Sequence, residues 1–379
     1  MKKSLIIGIL MVVCLMINPQ TVWATSIEEV EEELLLELKL DNLDEFMEEI
    51  GSEVSFYELI KQIMDMGWGV DTIEVLTRWL WKQIFLELSA SKKLILEVLL
   101  ITFCFSLLKN TAGSFGNAYM SEISFMLVYS ILAVLLLKSV FVFQSIVADA
   151  LRQCVSFMKM FLPCFCTGML FSSNTYSMAG FYQLAFFVIY LIEGAFNKVL
   201  LPFIHIYILL QIFNHFFEEG QFANLAELFE TMINWGLKIS VTIVLSLSTV
   251  QNLINPAKDR LAQGALGRTA SAIPALGNII GNMGELLLGA GMIIKNAVGI
   301  AGIIVLILIT CGPLLKTLCL GFTYKIMAAI MEPLTDKRIS NCVKALARGV
   351  LLYTKLLGEG MLLFLVMIAI AVSATSFVY

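Results

Sequence analysis

The residues that could do chemistry in this 379-residue chain are few and poorly spaced for catalysis. The two histidines, His205 and His215, stand ten residues apart with no H-E-x-x-H or H-x-E pattern, so sequence neighbours build no helical zinc site. Core or interface roles suit both better. No G-x-x-x-x-G-K-[ST] loop occurs, which excludes nucleotide hydrolysis through a P-loop. Beyond Cys14 the cysteines are Cys104, Cys154, Cys164, Cys166, Cys311, Cys319 and Cys342, all in or near apolar runs, and Cys164-Phe165-Cys166 lacks the C-x-x-C spacing of a redox pair. They read as small apolar residues. With no nucleophile and base assembled and no cofactor or metal set legible, the chain is not expected to be an enzyme.

One stretch has polar residues in a suggestive pattern. Gly264 to Gly302 holds nine of the 25 glycines, with Pro274, Asn278, Asn282, Glu285, Lys295 and Asn296 among aliphatic residues. Asn278, Asn282 and Glu285 are spaced i, i+4, i+7 and so share a helix face. Two readings follow: a broken or re-entrant element over 256–296 lining a polar cavity, or tight packing through Gly277-x-x-x-Gly281 with the amides as polar glue. Packing is the commoner use of such residues. Further charges fall in or beside apolar runs: Glu97, Lys138, Lys159, Glu193, Lys198, Lys316, Lys355 and Glu359. A charge in the bilayer interior costs at least about 2.5–3.5 kcal/mol, so each needs a partner, water or a place near a span end. Lys355 and Glu359 at i, i+4 can neutralise each other, and Glu193 with Lys198 is expected to bracket a turn.

The elements that position these residues belong in lipid. The chain is 59% apolar and 15% charged with a mean hydropathy of +0.87, against about 45–50% and 25% for soluble domains. Its formal charge of −5 also speaks against a nucleic-acid binder. Apolar runs at 94–108, 123–143, 155–171, 179–195, 199–217, 237–254, 297–320 and 353–375 predict an all-α, polytopic membrane domain over 94–379 with about eight spans. With the mature N-terminus outside, the loop carrying Lys325, Lys337, Arg338, Lys344 and Arg348 falls on the cytoplasmic side, as positive charge favours. Lys258, Arg260 and Arg268 fall outside and pull the other way. Between these runs, residues 221–235 read as an amphipathic helix, with Phe222, Leu225, Phe229, Met232 and Ile233 on one side and Glu227 and Glu230 on the other. Its acids favour packing on the bundle.

Two segments precede the membrane domain. Lys2 and Lys3, then the apolar stretch Leu5 to Ile17, then Val22-Trp23-Ala24 make residues 1–24 a cleavable signal peptide, since thirteen apolar residues rise only about 20 Å. Residues 25–93 then hold seventeen Asp or Glu against six Lys or Arg, so nearly all the acidity sits in one exported stretch. Ile27, Val30, Leu34 and Leu38, then Leu43, Met47 and Ile50, recur at helical spacing, and Ser26-x-x-Glu29 and Ser55-x-x-Glu58 fit capping boxes. These short amphipathic helices present a solvated acidic face, or a docking surface outside the membrane; anionic lipid heads would repel them.

Over nearly its whole length, from the signal peptide through the exported segment and the spans, the chain resembles the stage III sporulation protein AE family of endospore-forming bacteria. The specific marks are Gly267-Arg268-Thr269-Ala270, Ile294-Lys295-Asn296-Ala297-Val298-Gly299, Pro313-Leu314-Leu315-Lys316, Tyr324-Lys325 and Pro333-Leu334. The resemblance implies a multi-pass protein of the mother-cell membrane around the forespore, a subunit of a secretion-like channel complex between mother cell and forespore. It implies partners as well: sister stage III membrane and ring proteins, an ATPase subunit and a forespore-membrane protein, besides membrane lipid. It transfers no catalytic residue. The rival reading is a secondary transporter with a midplane site at Asn278, Asn282 and Glu285.

Overall fold

A computed structural model describes residues 27–38, 40–52, 54–66, 96, 100, 118–172, 175–217, 220–270, 276–333 and 335–374. The signal peptide, most of 67–117, and the side chains of Asn278, Asn282 and Glu285 lie outside what it describes. Every described element is a helix. Three short ones come first: α1 (Ile27–Glu37), α2 (Asp41–Glu49) and α3 (Phe56–Met66). Five long rods follow. They are α4 (Ala118–Ser172); α5 (Thr175–Leu191), which continues through a π-helical stretch (Ile192–Leu200) into α6 (Leu201–Phe216); α7 (Ala223–Ala270); α8 (Leu276–Met331); and α9 (Lys337–Ala374).

Each of the five contains a segment long and apolar enough to cross a membrane. The protein is therefore a multi-pass helical membrane protein, but its runs are not divided as the hydropathy divides them. The runs 123–143 and 155–171 both lie on α4, and 179–195 and 199–217 both lie on the α5–π–α6 rod. A continuous helix crosses once. Neither expected break materialises because neither interval holds a strong breaker: Asp149 and Arg152 pair with each other three residues apart between the first two runs. Ile192–Leu200 absorbs Glu193 and Lys198 in wider helical turns instead of a loop. Pro163 and Pro313 sit inside α4 and α8 without ending them.

Side-chain contacts set the register of the rods. Ser139 bonds Tyr324, Phe161 meets Gly302 and Phe165 meets Gly299, so α8 runs antiparallel to α4. The ring of Phe165 lies 5.0 Å from that of Phe181 and Phe141 lies 4.5 Å from His205, which sends α5 and α6 back down α4. Phe203 and Phe229 are 5.4 Å apart, and α7 returns upward. Thr310 donates to the Met361 sulfur at 2.9 Å and Ser340 donates to the Ala328 carbonyl at 3.1 Å, making α8 and α9 a hairpin. The result is an up-down bundle. The α6–α7 and α8–α9 turns sit at one end with the start of α4; α4 and α7 finish, and α5 and α8 begin, at the other.

This register brings 155–171, 179–195, 237–254, 297–320 and 353–375 to one common height, though they lie far apart in sequence. The shared core there is built on stacked Phe157, Phe161 and Phe165, with centroids 5.5 Å and 5.3 Å apart. The expected amphipathic helix at 221–235 is the first part of α7, continuous with its span. It does pack on the bundle, but through Ala226, Phe229 and Ile233, while Leu225 and Met232 point outward. Likewise residues 276–296 are the opening turns of α8, with no second break before Met331.

Candidate functional site

The short helices fold where their apolar stripe dictates. Leu34, Leu35, Leu38, Leu43, Phe46, Met47, Phe56 and Ile60 are all buried. Their rings meet the α4 stack: Phe46 lies 5.7 Å from Phe157, and Phe56 lies 6.4 Å from Phe157 and 6.3 Å from Phe161. Asp44 fixes the hinge, its Oδ1 accepting from the Phe56 and Tyr57 amides at 2.7 and 3.2 Å and so capping α3 from α2. Ser55 caps the same helix, accepting from the Glu58 amide at 3.1 Å, as its capping-box spacing predicts. With most of the apolar stripe spent on the protein's own bundle, Glu32, Glu33, Glu37, Asp41, Glu45, Glu48, Glu49 and Glu58 face outward, alongside exposed Leu36, Asn42, Lys61 and Gln62.

A second polar feature rings the rods from that layer downward. Asp149, Arg152, Lys159, Glu193, Lys198 and Lys238 are exposed there, and Lys316, Lys355 and Glu359 are half-buried at about the same height. Glu193 has its ion pair with Lys159 of α4 at 2.9 Å, so it ties two rods together instead of flanking a turn. Lys355 and Glu359 are 3.8 Å apart, as their spacing allows, and Lys355 also donates to the Asn234 Oδ1 of α7 at 2.8 Å. Asn234 donates in turn to the Glu230 carbonyl at 2.9 Å. Sequence reasoning missed Asn234 and Lys159 as partners, because nothing in spacing alone couples α7 to α9 or α4 to α5.

Of the glycine-rich constellation, Lys295 and Asn296 are described in full. Lys295 is completely buried, and its Nζ donates to the Val372 carbonyl at 3.2 Å, joining the start of α8 to the end of α9. The Asn296 Oδ1 is buried without a hydrogen-bond partner. Gly299 and Gly302 on the same helix let the bundle close: a Cβ on Gly302 would stand 2.5 Å from the Phe161 ring, and one on Gly299 would meet Val372 and Phe165. Helix packing, the commoner reading, thus describes the Lys295–Gly302 stretch. At the opposite end of the bundle Arg338 grips Glu122 through both terminal nitrogens, at 3.3 and 3.2 Å, and lies 3.6 Å over the Phe125 ring. Beside it, Tyr129 donates to the Ile212 carbonyl at 2.6 Å.

Among the described residues no three His, Cys, Asp or Glu side chains gather as a metal site. The arrangement can tie helices together and present charge on chosen faces of an apolar bundle. A family model described as "Stage III sporulation protein AE (spore_III_AE)" matches residues 54–375. A relative from Bacillus subtilis (strain 168), named Stage III sporulation protein AE, is 24% identical over 365 residues, covering 93% of this chain and 90% of that one. No solved structure matches. With the family's pattern extending from the middle of the acidic segment through the whole of α9, the chain belongs to the stage III sporulation protein AE family.

Proposed function

We propose that this protein is a membrane subunit of a sporulation-specific channel or secretion-like complex joining mother cell and forespore, placed in the mother-cell membrane around the forespore. Family membership supports the sporulation role. The observation that carries the rest is the polarity of the bundle. Its acidic helices dock at the height of the common apolar band, and its basic turn, with Lys337, Arg338 and Lys344, lies at the far end. A cleaved signal at 1–24 translocates the acidic segment, and the short basic turn stays in the cytoplasm. If 94–108 crosses first, the five rods complete six crossings and leave both termini outside.

On this reading the sister stage III ring proteins and a forespore-membrane protein meet the extracytoplasmic side, and an ATPase subunit meets the cytoplasmic turn. Deletion in a sporulating cell is expected to arrest forespore development after engulfment, with rescue by the intact gene. Normal spores from the deletion strain would remove the proposal.

A further inference from the structure

The half of α6 nearest its turn into α7 has a polar stripe that the channel reading does not use. Tyr207, Gln211 and His215 stand at i, i+4 and i+8, so they share one face of the helix. Neighbouring contacts show what encloses Tyr207. The Phe203 ring lies 5.4 Å from that of Phe229, which brings α7 alongside, and Gly349 of α9 lies so close against Ile208 that a Cβ there would have no room. Tyr207 is fully buried where the three helices meet, and Gln211 is only 8% exposed.

The polar groups at this junction are not paired off. The Tyr207 hydroxyl is buried without a hydrogen-bond partner, and so is Nε2 of His215. Glu230 of α7 and Arg348 of α9 both act on that hydroxyl, and Arg348 acts on His215 as well, so an anion and a cation converge on the same stripe. Nearby charges find each other. Lys344 pairs with Glu332 at 2.9 Å and Lys355 lies 3.8 Å from Glu359, whereas among the described residues Glu230 and Arg348 form no ion pair. Buried polar groups are rarely left in this state, because each loses its water without gaining a partner.

We infer that Tyr207, Gln211, His215, Glu230 and Arg348 form a binding site for a small zwitterionic head group, its anionic end on Arg348 and its primary ammonium on Glu230. The Tyr207 hydroxyl donates a further hydrogen bond to the anionic end, and the Gln211 amide supplies another donor. Several donors against one carboxylate favour an oxyanion with several acceptor oxygens, and the planar fork of arginine suits phosphate. Phosphoethanolamine has this chemistry, and it has two sources, a phospholipid head and the free compound. Entry is past Arg348, which is exposed, while Glu230 is half-buried. Water alone would satisfy the hydroxyl but would bring neither charge a counter-ion. The site stands whether or not the protein is part of a channel.

The test follows thermal unfolding of full-length protein, purified in mild detergent and stripped of lipid, as ligand is added. Phosphatidylethanolamine is compared with phosphatidylglycerol, which has the phosphate but no ammonium, and with free phosphoethanolamine. Half-maximal stabilisation by phosphatidylethanolamine is expected at a concentration about tenfold or more below that for phosphatidylglycerol, as one charged hydrogen bond implies. Glu230→Gln should bring the two lipids level, and Arg348→Gln should weaken both. A preference between the lipids assigns the head group to the membrane; stabilisation by free phosphoethanolamine without that preference assigns it to solution. Equal action of both lipids with no effect of the free compound would overturn the inference and leave the junction to water. A preference that survives both charge substitutions would overturn it too. Tyr207→Phe, which keeps the ring and removes only the unpaired hydroxyl, is the second variant if a charge substitution prevents folding. It is expected to raise the phosphatidylethanolamine requirement several-fold, and an unchanged requirement would count against the site.

Discussion

At the residue scale the bundle depends on a few places where side chains leave no room or no alternative partner. Gly302 faces Phe161, which is held between Phe157 and Phe165 and cannot swing away. Gly302→Ala is therefore expected to lose about 1–3 kcal/mol by overpacking. Gly289, whose added Cβ would meet nothing within 4 Å, should accept alanine and gain up to about 1 kcal/mol from helix propensity. Thermal unfolding of the two variants in detergent checks the contrast. Lys295 offers a second comparison, since its stem is fully buried and its ammonium group meets the Val372 carbonyl. Lys295→Met keeps the stem and should lose about 1.5–3 kcal/mol with the charged hydrogen bond. Lys295→Glu places an anion against a carbonyl oxygen, and size-exclusion chromatography should show that folded protein fails to accumulate. The sequence marked Lys295 as unusual from its charge among aliphatics; it could not supply Val372, 77 positions away.

At the element scale, hydropathy located nearly every apolar run and misjudged how runs join. The polar interval from Gln144 to Gln153 looks like a loop, but it contains neither glycine nor proline, and an ion pair one turn apart satisfies its charges within the helix. The glycine-rich stretch admitted a broken reading because glycine is a poor helix former in water, but the packing reading preferred for it fits Gly299 and Gly302, whose missing side chains permit close rods. Short-range signals did better: Ser55-x-x-Glu58 caps α3 as its spacing predicts. The docking of α1–α3 onto α4 was only half legible, since the apolar stripe announced burial and not what it would be buried against. Phe56, fully buried between Phe157 and Phe161, anchors that contact. Phe56→Ala should cost about 3–5 kcal/mol, and Asp44→Ala about 0.5–2 kcal/mol through loss of the α3 cap. Limited proteolysis of detergent-solubilised protein is the check, with cleavage before residue 67 accelerated more by Phe56→Ala than by Asp44→Ala while the rods stay intact.

For the molecule as a whole, the composition placed the chain in lipid, and the charge step after Lys93 separated an acidic segment from a slightly basic remainder. The fold adds that these two parts touch, so acidity confined to one stretch of sequence becomes acidity on one side of an apolar bundle. Such a surface suits a protein with partners outside the membrane better than a lone carrier. The account's central claim is accordingly that this protein works as one subunit of a larger assembly. Affinity purification of the tagged full-length protein from sporulating cells in mild detergent tests this most directly. Co-purification of other stage III sporulation proteins in fixed ratio is the predicted result. Recovery of the chain alone, from cells in which the tagged protein supports normal sporulation, would contradict it.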